Sequence, residues 1–184
     1  MTISNMVVSL LSQQQAQLIT RHAQQEAPLE ACGLLAGHGA TIERVIPVGN
    51  VADDPRHHYV MDKKDLARYL PELVSDGLDL IGFYHSHPDG TPVFSETDRR
   101  EAYWENHVYL IVGLKHRQPR LAAWTIRNGE VYSVNLQIDA GIPDLSDNTL
   151  SSRQKAAIIT GGLIILVMMI ALSLHLLPLA PPVP

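Results

Sequence analysis

Two histidines, His85 and His87, end an apolar, β-prone run from Leu78 to Tyr84, and Pro88 follows at once. This spacing constrains the chain more than any other feature. Residues i and i+2 of an extended strand point to the same face, so a strand is what lets both imidazoles address one point in space. Shortly afterwards comes Ser95-Glu96-Thr97-Asp98, in which Ser95 reads as a helix cap and Asp98 falls in the first helical turn. Two imidazoles and one carboxylate leave a tetrahedral ion a fourth position for water, the arrangement of a catalytic zinc centre. In a chain with nine His, a His-x-His pair alone is close to coincidence. The proline, serine and aspartate at fixed offsets turn it into a candidate site.

The 184 residues suffice for one domain with a substantial core and a small appendage. A net charge of −5 suggests no phosphate-binding surface, so nucleic acid is not an expected partner. Cys32 is the single cysteine, which excludes an intramolecular disulfide framework and fits a reducing compartment. Met1 to Ser12 lacks a basic region and is not expected to act as a signal peptide.

Met6 to Leu11 reads as a first strand, and Ser12 with Gln15 matches a capping box opening a helix whose apolar face is Ala16, Ile19 and Ala23. Leu34 to Ala36 is a buried strand, turning at Gly37-His38-Gly39 into Thr41 to Val48, where Pro47 implies an edge or strand end. Asn50 to Arg56 is a surface loop, and His57 to Met61 a short strand candidate. Asp62 caps a helix towards Ser75 with Leu66, Leu70, Leu73 and Val74 as its stripe; Pro71 predicts a kink or early break, and Gly77 ends it. His107 to Leu114 is a central strand. Leu121 to Ile126 and Val131 to Ile138 form a hairpin over Asn128-Gly129, setting Arg127 across from Glu130. The mixture predicts an α/β domain over 1–138.

Residues 139–155 form a polar linker by composition. From Ala156 to Leu177 the chain is almost wholly apolar, and about 20 such residues cross a ~30 Å hydrocarbon layer as a helix. A transmembrane helix is therefore expected over 156–178, followed by a short tail, 179–184. Arg153 and Lys155 precede this run and no charge follows it. The positive-inside bias then predicts a single-pass membrane protein whose main domain is cytoplasmic.

An ion at His85, His87 and Asp98 would lower the pKa of its water from 15.7 to about 7. Peptide hydrolysis also needs a base and a group to stabilise the oxyanion. Glu30, beside the apolar run Ala31 to Gly37, is a candidate base, with Glu26 and Glu96 as rivals on pattern alone.

Glu30-Ala31-Cys32-Gly33-Leu34-Leu35-Ala36-Gly37, with His85-Ser86-His87-Pro88 and Ser95-x-x-Asp98, resembles the JAMM (MPN+) metalloprotease family over roughly residues 5 to 138. The resemblance implies one zinc ion held by His85, His87 and Asp98, Glu30 as general acid/base, and Ser95 as oxyanion stabiliser. It implies an α/β/α sandwich of the cytidine-deaminase type, with a mixed, mostly antiparallel sheet. It also implies hydrolysis of a peptide or isopeptide bond at the C-terminus of a ubiquitin-like protein. The short segment Arg99 to Asn106 and the lack of a Cys/His cluster make it similar to the compact bacterial form, which acts on ubiquitin-like sulfur-carrier proteins. Asn50, Asp54-Pro55 and Tyr59 echo a stretch of that form. Ser86 alternates away from the imidazoles and is a poor ligand. Cys32 is read as a buried structural thiol, and His22, His57, His58, His107 and His116 as structural. The alternative is a non-catalytic scaffold at the membrane. Nucleobase deamination would need a Pro-Cys-x-x-Cys ligand pair, which one cysteine cannot supply.

Overall fold

The computed structural model describes residues 8–139. In chain order these form β1 (Val8–Ser12), α1 (Gln13–Glu26), β2 (Cys32–His38), β3 (Thr41–Val48), α2 (Lys63–Ser75), β4 (Asp79–His87), α3 (Glu96–Glu101), β5 (Val108–Gly113), β6 (Arg120–Arg127) and β7 (Glu130–Asp139). The strand order is β1-β3-β2-β4-β5-β6-β7. Pairings β2–β3, β2–β4, β5–β6 and β6–β7 are antiparallel, while β1–β3, β1–β7 and β4–β5 are parallel. The mixed, mostly antiparallel sheet is as expected.

One departure from the expected sandwich is closure. The sheet curls until β1 meets both ends, pairing along its length with β7 but with β3 only at Leu10↔Thr41. Helix α1 touches β1, β3, β4, β5 and β7. Twisted strands wrapping a cylinder about 10–12 Å wide bring the sheet edges together.

The core lies on both faces of the central strands. Leu35, Tyr84 and Leu110 pack with Ala16, Ile19 and Ala23 of α1. Their strand neighbours Leu34, Phe83 and Tyr109 pack with Leu73 of α2 on the other face. Adjacent residues facing opposite ways is the strand alternation itself, and it explains why β2 and β5 read as continuous apolar runs.

The local signals operate as their chemistry requires. Ser12 and Gln15 form the capping box of α1, and Asp62 caps α2 by accepting the Lys64 N–H. Asn128 and Gly129 both have positive φ, 50° and 75°, as a two-residue hairpin turn demands. Arg127 does face Glu130 in the register, yet the Glu130 carboxylate lies 3.7 Å from Arg99.

Three expectations are corrected. His57 to Met61 is no strand; only an isolated Asn50↔Met61 bridge forms, because the His58 carbonyl and the Val60 N–H bond the Asn50 side chain and the His57 N–H bonds the Asp54 carbonyl. Of the kink or early break expected at Pro71, the early break is excluded, since Pro71 lies inside α2 on its exposed side. Val74 is 77% exposed and does not join the stripe, since one residue past buried Leu73 is a turn of about 100° away from the sheet. The linker (from residue 140), the membrane helix over 156–178 and the tail at 179–184 lie outside the described residues. Among the described residues, no helix is long and apolar enough to cross a membrane.

Gly82 shows how tightly β4 meets its neighbours. A Cβ there would fall on the Val108 carbonyl oxygen of β5, and backbone cannot move aside as a side-chain end can. Gly82→Ala is expected to cost about 3 kcal/mol or more, read as a lower urea midpoint. An unchanged midpoint would refute this close approach.

Candidate active site

The β4 strand ends with its alternation intact, so His85 and His87 share a face and Ser86 points away. The Nε2 atoms of the two imidazoles are 3.1 Å apart. Asp98 arrives from the first turn of α3, with Oδ1 3.1 Å from His85 Nε2 and Oδ2 3.4 Å from His87 Nε2. A second capping box aims it. The Ser95 hydroxyl accepts the Asp98 N–H at 3.0 Å, and the Asp98 carboxylate accepts the Ser95 N–H at 2.7 Å.

These separations test whether a metal ion fits. Nitrogen ligands about 2.0–2.1 Å from a tetrahedral zinc are about 3.3–3.4 Å from one another, and the three contacts here are 3.1, 3.1 and 3.4 Å. His87 Nδ1 meets the Thr91 carbonyl at 3.0 Å, which places the ring proton on Nδ1 and leaves the Nε2 lone pair for an ion. Lone pairs facing one another at this range repel unless a cation or proton lies between them. The donor set fits a divalent metal of the zinc type.

Charge follows burial here. Burial holds the His85 imidazole below its ordinary pKa, outweighing the nearby Asp98 carboxylate. At His87 burial acts in the same sense, but hydrogen bonds to Asp98 and to the Thr91 carbonyl prevail and the pKa rises. Burial alone would raise Asp98; its hydrogen bonds with His85, His87 and the Ser95 N–H hold it well below the carboxylate range.

Glu30 is 6% exposed, and burial is the main cause that pushes its carboxyl from 4.5 up to about 8, with the Asp98 and Glu101 carboxylates adding to the rise against the opposing pull of His87. Its two rivals are exposed. The register Cys32↔His85 sets the start of β2 against the end of β4, which brings Glu30 beside the ligands. The Ser86 hydroxyl, no ligand, accepts the Ala31 N–H at 2.9 Å, and the Ser86 N–H meets the Ala31 carbonyl at 3.0 Å. That fastening of Glu30's neighbour was not read from the sequence. A small polar residue between two ligands on a buried strand was its only signal. Cys32 is buried, with its thiol pushed up to about 12 by burial first and by Glu30, Asp65 and Glu26 after it, as befits a structural thiol. His22 packs against the Tyr84 hydroxyl at 2.9 Å.

A closed mixed sheet carrying a buried carboxyl beside a His-His-Asp cluster defines a hydrolase of the JAMM type. The family described as prokaryotic homologs of the JAB domain matches residues 12–127, and the chain belongs to it. Over 99 residues it is 44% identical to the desampylase of Haloferax volcanii, covering 50% of this chain and 71% of that one. Over 92 residues it is 43% identical to a probable TtuB-protein conjugate cleaving protease of Thermus thermophilus, covering 50% of this chain and 61% of that one. A Desulfitobacterium hafniense protein solved in solution superposes with a TM-score of 0.65 at 30% identity, over 72% of this chain and 93% of its own. A Salinibacter ruber protein gives 0.53 at 26% identity, over 74% and 94%. The enzyme class sets the scaffold alternative aside.

Proposed function

We propose that the chain is a zinc-dependent isopeptidase that cleaves the peptide or isopeptide bond at the C-terminus of a ubiquitin-like or sulfur-carrier protein. His85, His87 and Asp98 hold the ion, which when bound supplies Lewis-acid polarisation and an acidified water. Glu30 takes the proton of the attacking water and passes it to the leaving amine. Ser95, whose oxygen accepts the Asp98 N–H, keeps its own hydroxyl proton for the developing oxyanion. The observation that carries this reading is the desolvated Glu30 carboxyl beside three converging ligand atoms. The names of the two relatives support the substrate class. The apolar run 156–178 supports a membrane tether, and Arg153 and Lys155 before it support a cytoplasmic catalytic domain.

The test is hydrolysis of ubiquitin-like carriers fused through their terminal glycine to a reporter, assayed in salt-washed membranes and in the soluble fraction of expressing cells. Activity that sediments with membranes, disappears on chelation and returns with zinc is the expected result. Chelator-insensitive cleavage would overturn the mechanism, and activity confined to the soluble fraction would overturn the tether.

A further inference from the structure

The segment between β3 and α2 forms no strand and carries no metal ligand, yet it touches both halves of the site. Tyr59 stacks on His85, with ring centroids 4.6 Å apart and planes 25° from parallel. His85 is 1% exposed, and its Nδ1 has no hydrogen-bond partner among the described residues. His87 differs, because the Thr91 carbonyl orients its ring. With Nδ1 unbonded, the broad face of Tyr59 adds to the Nε2 contacts of the ring in limiting its rotation about the Cβ–Cγ bond, a torsion that is otherwise soft.

Asn50 organises the rest of this loop. Its Oδ1 accepts the N–H groups of Ala52 and Val60, each at 3.1 Å. Its Nδ2 donates to the Glu30 carbonyl at 2.9 Å and to the His58 carbonyl at 3.2 Å. The amide has two donors and two acceptor sites, and all four are used. The Glu30 N–H donates in turn to the Pro55 carbonyl at 2.7 Å. Both backbone polar groups of Glu30 are therefore bound to this loop, and the sheet begins only at Cys32. The Asn50↔Met61 bridge and the Val51 N–H to Val60 carbonyl bond, 2.8 Å, close the frame at its base.

We propose that the loop from Asn50 to Met61 is a positioning element that sets the base against the metal: Tyr59 holds the His85 ring for ligation, and Asn50 holds Glu30 in register with the ligands. Neither residue is catalytic. The inference rests on the proposed function for the identity of base and ion, but its main readout is metal affinity, which needs no substrate.

The experiment measures zinc affinity of the purified full-length protein by competition with a chromogenic chelator, alongside steady-state cleavage of a carrier fusion. Tyr59→Ala is expected to bind zinc about 10–100-fold more weakly, the range for residues that orient a ligand, whereas Tyr59→Phe, keeping the stacked face, stays within about threefold of the parent on the same scale. Asn50→Asp keeps both acceptors and loses both donors. It is expected to retain zinc affinity and lower kcat about tenfold with KM little changed, within the cost of misplacing a catalytic group. A folded Tyr59→Ala that binds zinc as tightly as the parent overturns the proposal, as does Tyr59→Phe as weak as Tyr59→Ala. An Asn50→Asp variant that keeps the parent's kcat, or that weakens zinc as much as Tyr59→Ala does, also overturns it. A parent protein that binds no zinc overturns the proposed function itself, a separate failure.

Discussion

Glu30→Gln is expected to lower kcat/KM on a carrier fusion by about 10³-fold while leaving one zinc ion bound per chain. Glutamine preserves the shape and the buried contacts but cannot take a proton, and positioned general acid/base groups contribute about 10²–10⁴-fold. The same substitution should stabilise the metal-free protein in a pH-dependent way. Burial raises the folded-state pKa of Glu30 from 4.5 to about 8, so the folded state binds this proton more tightly than the unfolded chain does. Below pH 4.5 both states are protonated and no penalty exists. Between pH 4.5 and 8 the unfolded chain ionises while the folded one resists, and stability drains away. Above pH 8 the loss is complete, at about 2–4 kcal/mol after allowance for water reaching the site. The chelated variant should therefore melt at the parent's temperature near pH 4.5 and several degrees above it at pH 8.5. Parallel melting curves at both pH values would show that Glu30 is not desolvated, and retained cleavage would remove it as the base.

Features held by short-range chemistry were legible in the sequence. The Ser12–Gln15 capping box and the Ser95 cap need only a few consecutive residues, and the turn at Asn128-Gly129 needs two left-handed positions. The ligand set was legible for a related reason, since strand alternation aims His85 and His87 and the cap of α3 aims Asp98. The choice of Glu30 over Glu26 and Glu96 came only through family resemblance, because what separates them is burial by elements far along the chain. Closure of the sheet was hidden likewise, since the parallel pairing of β1 with β7 joins the two ends of the domain. The loop around Tyr59 misled outright. Its β-prone residues suggested a strand, whereas one asparagine side chain took bonds that a neighbouring strand would have made. Such a frame has a composition signal, Asn followed by Asp-Asp-Pro, but no signal of what it touches.

Asp98→Ala is expected to abolish detectable cleavage, because this residue does two things at once. Its carboxylate approaches both imidazoles and also accepts the Ser95 N–H that starts α3. Losing an orienting residue weakens a metal site about 10–100-fold, and losing a ligand outright should weaken it by at least about 10³-fold on the same scale. The cap contributes about 1 kcal/mol more, seen as lower stability even under chelation. Ser95→Ala separates the two effects. It removes the hydroxyl that accepts the Asp98 N–H at 3.0 Å but no ligand, so zinc content should hold while stability falls by about 1 kcal/mol. If that hydroxyl also serves the oxyanion, kcat falls by about 10²–10³-fold with zinc still bound. Zinc occupancy of the parent should decline as pH falls through the raised pKa of His87, since a protonated imidazole has no lone pair to offer. Measured by metal analysis after gel filtration, full zinc in Asp98→Ala would remove the aspartate from the ligand set. A Ser95→Ala enzyme with normal kcat would leave Ser95 as a helix cap and nothing more.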